Sequence, residues 1–164
     1  MKQDITLKRG KFIGKVNSLL QEFHFADRDI MLKLLNTYTT SFYGSPLWDL
    51  YSASCDKLYK SWNVTMRNVL DVDRRTHRYL LHGLTQQVHP KVMLASRLVG
   101  FYQAQLSSPK FRLRFLAHLA VNDKRTVLGS NLDRIAGECG YRIEQLTSKV
   151  VKARLRYVNC QCSQ

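Results

Sequence analysis

Apolar residues return at three- and four-residue steps along almost the whole 164-residue chain. That period is the mark of helices that bury one face. Ile5, Phe12, Val16, Leu19, Leu20 and Phe23 set the pattern, so 5–23 is expected to form an amphipathic helix. Asp27 can cap a second helix with Met31, Leu34, Leu35, Tyr38 and Phe42 inward, and Gly44-Ser45-Pro46 supplies the turn that ends it. A third helix is expected over about 53–70, with Leu58, Trp62, Met66, Val69 and Leu70 on one stripe. Thr76 can cap a short helix carrying Tyr79, Leu80 and Leu84.

The second half follows the same rule. Pro90 suits a first helical turn, where its missing N–H costs nothing, and Val92, Met93, Leu98, Phe101, Tyr102 and Leu106 would face inward. Ser108-Pro109 gives another start, leading into Phe111, Phe115, Leu116 and Leu119. Residues 110–115 alternate strictly (Lys, Phe, Arg, Leu, Arg, Phe), which also fits a half-buried strand; the proline and the continuation to Leu119 favour a helix. Leu128-Gly129-Ser130 reads as a break, followed by a helix over about 131–139, a Gly140 stop and a last helix over about 142–157 with Ile143, Leu146, Val150 and Leu155 inward. Elsewhere no period-two run is bounded by hairpin turns, and no repeat of fixed length occurs. The expected fold is all-α, a compact multi-helix bundle of about seven or eight helices. Most of Trp48, Trp62, Tyr38, Phe101, Tyr102 and Phe115 should be core, with Tyr43 and Trp48, beside the Gly44 turn, as the exceptions open to base stacking.

Composition matters here for its charge. Twenty-six basic against twelve acidic side chains give +14 and a pI near 9.9. A folded chain tolerates such self-repulsion most easily beside a polyanion. Hydrophobic residues at 45% and charged residues at 23% exclude a disordered tail, a collagen-like fibre and a low-complexity segment. Four cysteines (Cys55, Cys139, Cys160, Cys162) are too few for a secreted disulfide scaffold. MKQDITLKRGKF does not resemble a signal peptide, and no run approaches eighteen apolar residues. The expectation is an intracellular protein, nuclear or cytoplasmic, with free thiols and no membrane contact.

The charge is unevenly placed. From Arg74 to Asn122, 49 residues pass without an Asp or Glu. Eight basic residues occupy that window: Arg74, Arg75, Arg78, Lys91, Arg97, Lys110, Arg112 and Arg114. The planar fork of arginine suits phosphate oxygens, and an acid-free surface attracts a phosphate backbone without local repulsion. These eight are the expected nucleic-acid-binding residues, with a merely solvated basic face as the plainer alternative; Lys8 and Lys11 lie outside the window as a control of equal charge. Residues 131–139 and 142–157 approximate a helix-turn-helix, with Arg142, Lys149, Lys152, Arg154 and Arg156 on its second helix.

Signs of catalysis are weak. Asp71-Val72-Asp73 is a D-x-D, and it ends a helix instead of converging on a metal from a strand. His24, His77, His82, His89 and His118 lack zincin spacing, and Cys160-x-Cys162 has no second ligand pair. No phosphate-binding glycine loop or nucleophile elbow occurs. Neither a cofactor nor a metal is expected.

Three strings in order, YGSPLWDL (43–50), KSWNVTMRNVL (60–70) and RRTHRYLL (74–81), resemble the stretch after the polymerase palm in LINE-type (non-LTR) retrotransposon reverse transcriptases, especially jockey-like elements. KRGKFIGKVNSLLQEF also looks like that family's first helix after the palm. The resemblance covers roughly 5–130. It implies a thumb over 1–85 and a C-terminal helical extension over 86–158; the last residues, 159–164, are expected to be a flexible tail. The palm, with its aromatic-x-Asp-Asp turn, and the fingers and endonuclease have no counterpart here. The implied function is a non-catalytic fragment of an RNA-directed DNA polymerase that grips a template–primer duplex, with a palm from a longer chain as a further partner. It also implies an exposed apolar patch near the first helix. Thr76 and His77 match the family motif, and an N-cap and a partly buried histidine account for them. The alternative is a self-standing basic helical module that binds nucleic acid or protein partners.

Overall fold

The computed structural model describes the backbone of residues 2–161 and the side chains of 3–81 and 83–155. Among these residues every regular element is helical. In chain order they are α1 (Lys2–Glu22), α2 (Arg28–Thr39), α3 (Ala53–Leu70), α4 (Arg78–Thr85), α5 (Pro90–Leu106), α6 (Phe111–Asn122), α7 (Val127–Cys139) and α8 (Ser148–Gln161). Single 3₁₀ turns occupy Ser45–Leu47 and Ile143–Gln145. The protein is all-α, and 110–115 is helix from Phe111 onward.

Local chemistry sets most boundaries. Ser52 Oγ accepts from the Cys55 N–H at 3.4 Å, and Thr126 Oγ1 from the Gly129 N–H at 3.0 Å, so both are N-caps. Pro90 opens α5 behind His89, whose Nδ1 accepts from the Lys91 N–H at 3.2 Å. Gly140 ends α7 at φ 72°, with the Tyr141 N–H bonded back to the Ala136 carbonyl at 3.1 Å. Gly129 breaks nothing: it lies inside α7, where a Cβ would sit 2.7 Å from the Asp123 carbonyl oxygen. The bare glycine lets the start of α7 close against the end of α6.

The chain forms two compact units. The first combines Met1–Tyr43 with Ser52–Gln87 and the second Gly44–Tyr51 with Val88–Gln164. The sequence suggests a cut between 85 and 86; in the structure the eight residues 44–51 pack with the second unit. Helix α8 continues to Gln161, and the rest of the expected tail, 162–164 with Cys162, lies outside the described residues.

In the first unit α1 lies against α2 and α3, and α4 lies on α3. Ile5, Phe12 and Val16 of α1, Met31, Leu32 and Leu35 of α2 and the full α3 stripe Leu58, Trp62, Met66, Val69 and Leu70 are buried. Phe12 centres the cluster, its ring 5.7 Å from Trp62 and 6.2 Å from Phe42. Phe42 is buried but follows the end of α2, and Tyr38 is exposed because the buried row is Met31, Leu35 and Thr39, four residues apart. In α4 the phase also differs: Leu81 and Thr85 are buried, while Tyr79, Leu80 and Leu84 are exposed.

In the second unit α5 is the shared wall, touching α6, α8 and the Ser45–Leu47 turn. Val92, Leu94, Leu98, Val99 and Tyr102 of α5, Leu132 and Ile135 of α7, and Val151 and Leu155 of α8 are buried. Ser96 Oγ donates to the Ser148 carbonyl at 3.3 Å and Ser148 Oγ to the Ser96 carbonyl at 3.0 Å, which pins α5 to α8. Trp48 is fully buried here, so it is core and not a base-stacking residue. The side chain of Asn131 holds its segment: Nδ2 donates to the Trp48 carbonyl at 2.7 Å, and Oδ1 accepts from the Leu50 N–H at 3.2 Å. Helix α6 departs furthest from expectation. Phe111, Phe115, Leu116 and Leu119 are exposed, and only Ala117 is buried.

Candidate nucleic-acid interface

The acid-free window is divided between the two units. Arg74, Arg75 and Arg78 belong to the first unit, and Lys91, Arg97, Lys110, Arg112 and Arg114 to the second. Arg74 and Arg75 lie in the turn after α3, Arg78 opens α4, and all three are exposed. The neighbouring carboxylates serve the backbone. Asp71 caps α3 in the left-handed region (φ 52°), and Asp73 Oδ1 accepts from the Arg75 N–H at 2.6 Å. His77 is exposed, its ring 4.7 Å from Tyr79, so it is not the partly buried histidine expected, and α4 starts at Arg78, which places His77 instead of Thr76 just before the helix.

In the second unit Lys91 is already engaged. Its Nζ lies 2.7 Å from Glu138 Oε1 and 4.9 Å from the Tyr51 ring centroid, and the Arg134 guanidinium lies 5.0 Å from that ring. Burial, and then the charge of Glu138, push the Tyr51 phenol above its ordinary range. This cluster ties α5 and α7 to the 44–51 segment. Arg97 is exposed on α5, where partial desolvation lowers its pKa. Lys110 is the N-cap residue of α6, and Arg112 and Arg114 stand exposed on its first turns.

A cationic concavity lies between α1 and α3 of the first unit, outside the window. It is a groove of about 300 Å³. Arg9, Lys57 and Lys60 line it beside Asn17, Ser61 and Asn68, and no carboxylate does. The geometry follows from helical spacing: Arg9, Ile13 and Asn17 recur every four residues on α1, and Lys57, Ser61, Thr65 and Asn68 form the facing row of α3. Sequence reasoning missed the site because the longest acid-free run drew attention elsewhere. A signal was present: 5–21 and 57–70 are also acid-free, and α1 and α3 place them side by side.

A second hollow of about 290 Å³ is lined by Lys8, Lys11 and Lys15 of α1 with Thr39, Ser41 and Phe42. Lys15 Nζ donates to the Tyr38 carbonyl at 3.0 Å. These lysines therefore face the carbonyl end of α2, whose dipole is negative, and have a structural reason to be there. Lys8 and Lys11 are accordingly not a neutral control pair.

The helix-turn-helix reading does not survive the geometry. Eight residues, 140–147, separate α7 from α8 and include the 3₁₀ turn, so Arg142 precedes the second helix instead of lying on it. Cys55 and Cys139 are buried and form no disulfide, and burial raises the pKa of Cys139. Among the described residues no group of three His, Cys, Asp or Glu side chains could hold a metal ion, and no helix is long and apolar enough to cross a membrane. No family model matches the chain, and comparison with curated proteins and with solved structures finds no match.

Proposed function

We propose that the chain is a non-catalytic nucleic-acid-binding region that engages the phosphate backbone, in the manner of the thumb and C-terminal helices of a LINE-type reverse transcriptase. The observation that carries the reading is the α1–α3 groove, where three cations and four neutral polar side chains meet with no carboxylate among them. Such a lining attracts phosphate oxygens without an internal counter-charge to displace, and +14 on the whole chain adds to the field. Backbone contacts of this kind position a duplex of any sequence, which a template–primer clamp requires.

The test compares two double variants of equal charge. Lys57→Ala with Lys60→Ala empties the groove of its α3 cations, and Lys149→Ala with Lys152→Ala removes two exposed cations from α8. Duplex affinity is measured against salt by fluorescence anisotropy, with circular dichroism to verify helix content. The groove variant should flatten the log–log salt slope by up to about two units, and the α8 variant should leave it unchanged. Equal losses in both would mean diffuse attraction and no site.

A further inference from the structure

Helix α6 presents a surface that the phosphate groove does not explain. Phe111 and Phe115, four residues apart on one face, are 69% and 51% exposed. Their rings are nearly parallel, at 19°, with centroids 6.0 Å apart. At about 100° per residue, Arg112 and Arg114 fall about 60° to either side of this pair, and His118 and Asn122 prolong the same stripe. All of these residues are exposed. Leaving two phenylalanines in water forfeits apolar burial that every other helix of the unit achieves. The face therefore calls for an occupant.

Charge selects among occupants. Helix α6 carries Arg112 and Arg114 with Lys110 at its N-cap, and it contains no carboxylate. A second copy laid against it would set arginine against arginine. The occupant must be anionic and must offer flat apolar faces, and nucleic acid meets both conditions. Ring spacing then separates single strand from duplex. Successive bases of a duplex strand rise about 3.4 Å, too little for neighbouring bases to meet rings 6.0 Å apart. An extended, unstacked strand can do so, with its phosphates passing the flanking guanidiniums.

We propose that the exposed face of α6 is a stacking platform for unpaired bases, through which the second unit binds single-stranded RNA or DNA. This rests on the nucleic-acid reading above but uses different residues and a different form of the polymer. Phe111 and Phe115 each take one base, and Arg112 and Arg114 bind phosphates on the two sides.

The experiment uses the full chain with three labelled probes: an oligouridine 20-mer, an oligothymidine 20-mer and a 20-base-pair DNA duplex. Phe111→Leu with Phe115→Leu keeps the apolar surface and removes both π faces. Affinity for the single strands should fall at least about tenfold, with duplex affinity held within about twofold. Phe111→Trp with Phe115→Trp should restore single-strand binding, and base stacking should quench the new indole fluorescence. Unequal losses on the two single strands would assign the platform to RNA or to DNA. Unchanged single-strand binding by the leucine variant overturns the platform and leaves the phosphate groove standing. A variant with Ala at both positions that loses binding where the leucine variant keeps it shows apolar docking of the kind a protein partner uses, which also overturns it. Failure of the unaltered chain to bind any of the three probes overturns both readings.

Discussion

Asn131 is almost fully buried, and its amide bonds the chain on both sides of Asp49, at the Trp48 carbonyl and the Leu50 N–H. A side chain thereby does the work of a strand neighbour for a segment that has none. Asn131→Leu keeps the volume and removes both partners at once, which should lower unfolding free energy by about 2–4 kcal/mol in urea titration. A loss below about 0.5 kcal/mol would show that other contacts hold the segment. At this scale the sequence is only partly legible. The α3 stripe of Leu58, Trp62, Met66, Val69 and Leu70 is buried as its spacing predicts. Trp48 is not legible from its surroundings, because its burial depends on a partner 83 positions away in sequence. Tyr38 differs for another reason: it stands beside the apolar row, and the row is completed by Thr39.

Helices themselves are well marked, since caps and prolines are local: α3 spans 53–70 as expected, and Pro90 opens α5. Which face each helix buries is a tertiary property. Helix α6 shows the difference, for its start is legible from Ser108-Pro109 while its apolar residues stay outside. Glycines mislead in the same way. Gly129 looks like a breaker yet sits in α7 under the end of α6, where a methyl would press on the Ala120 and Asp123 carbonyl oxygens and on Thr126 Oγ1. Backbone oxygens cannot swing aside, so Gly129→Ala should cost about 1–3 kcal/mol. Gly137, in the same helix, has nothing within 4 Å of an added Cβ. Gly137→Ala should therefore stabilise by about 0.4–1 kcal/mol through the unfolded chain. Thermal unfolding of the pair should show shifts of opposite sign, and two shifts of the same sign would contradict the packing of α6 on α7.

On the scale of the whole molecule, net charge is legible from composition alone, whereas the assignment of cations to surfaces is not. The window from Arg74 to Asn122 is continuous in sequence and divided between two units, and Lys91 within it is held by Glu138. Arg9 and Lys60 stand far apart in sequence and line one groove. A linear scan weighs neighbours along the chain, but phosphate responds to neighbours across helices. In the proposed function this arrangement binds the nucleic-acid backbone through counter-ion release. The most direct test is the affinity of the unaltered chain for a 20-base-pair duplex of arbitrary sequence, measured over a series of salt concentrations. With about four to six phosphates neutralised, log affinity should fall against log salt with a slope of roughly −3 to −5, alike for unrelated sequences. A slope near zero, or no binding at low salt, would contradict the account.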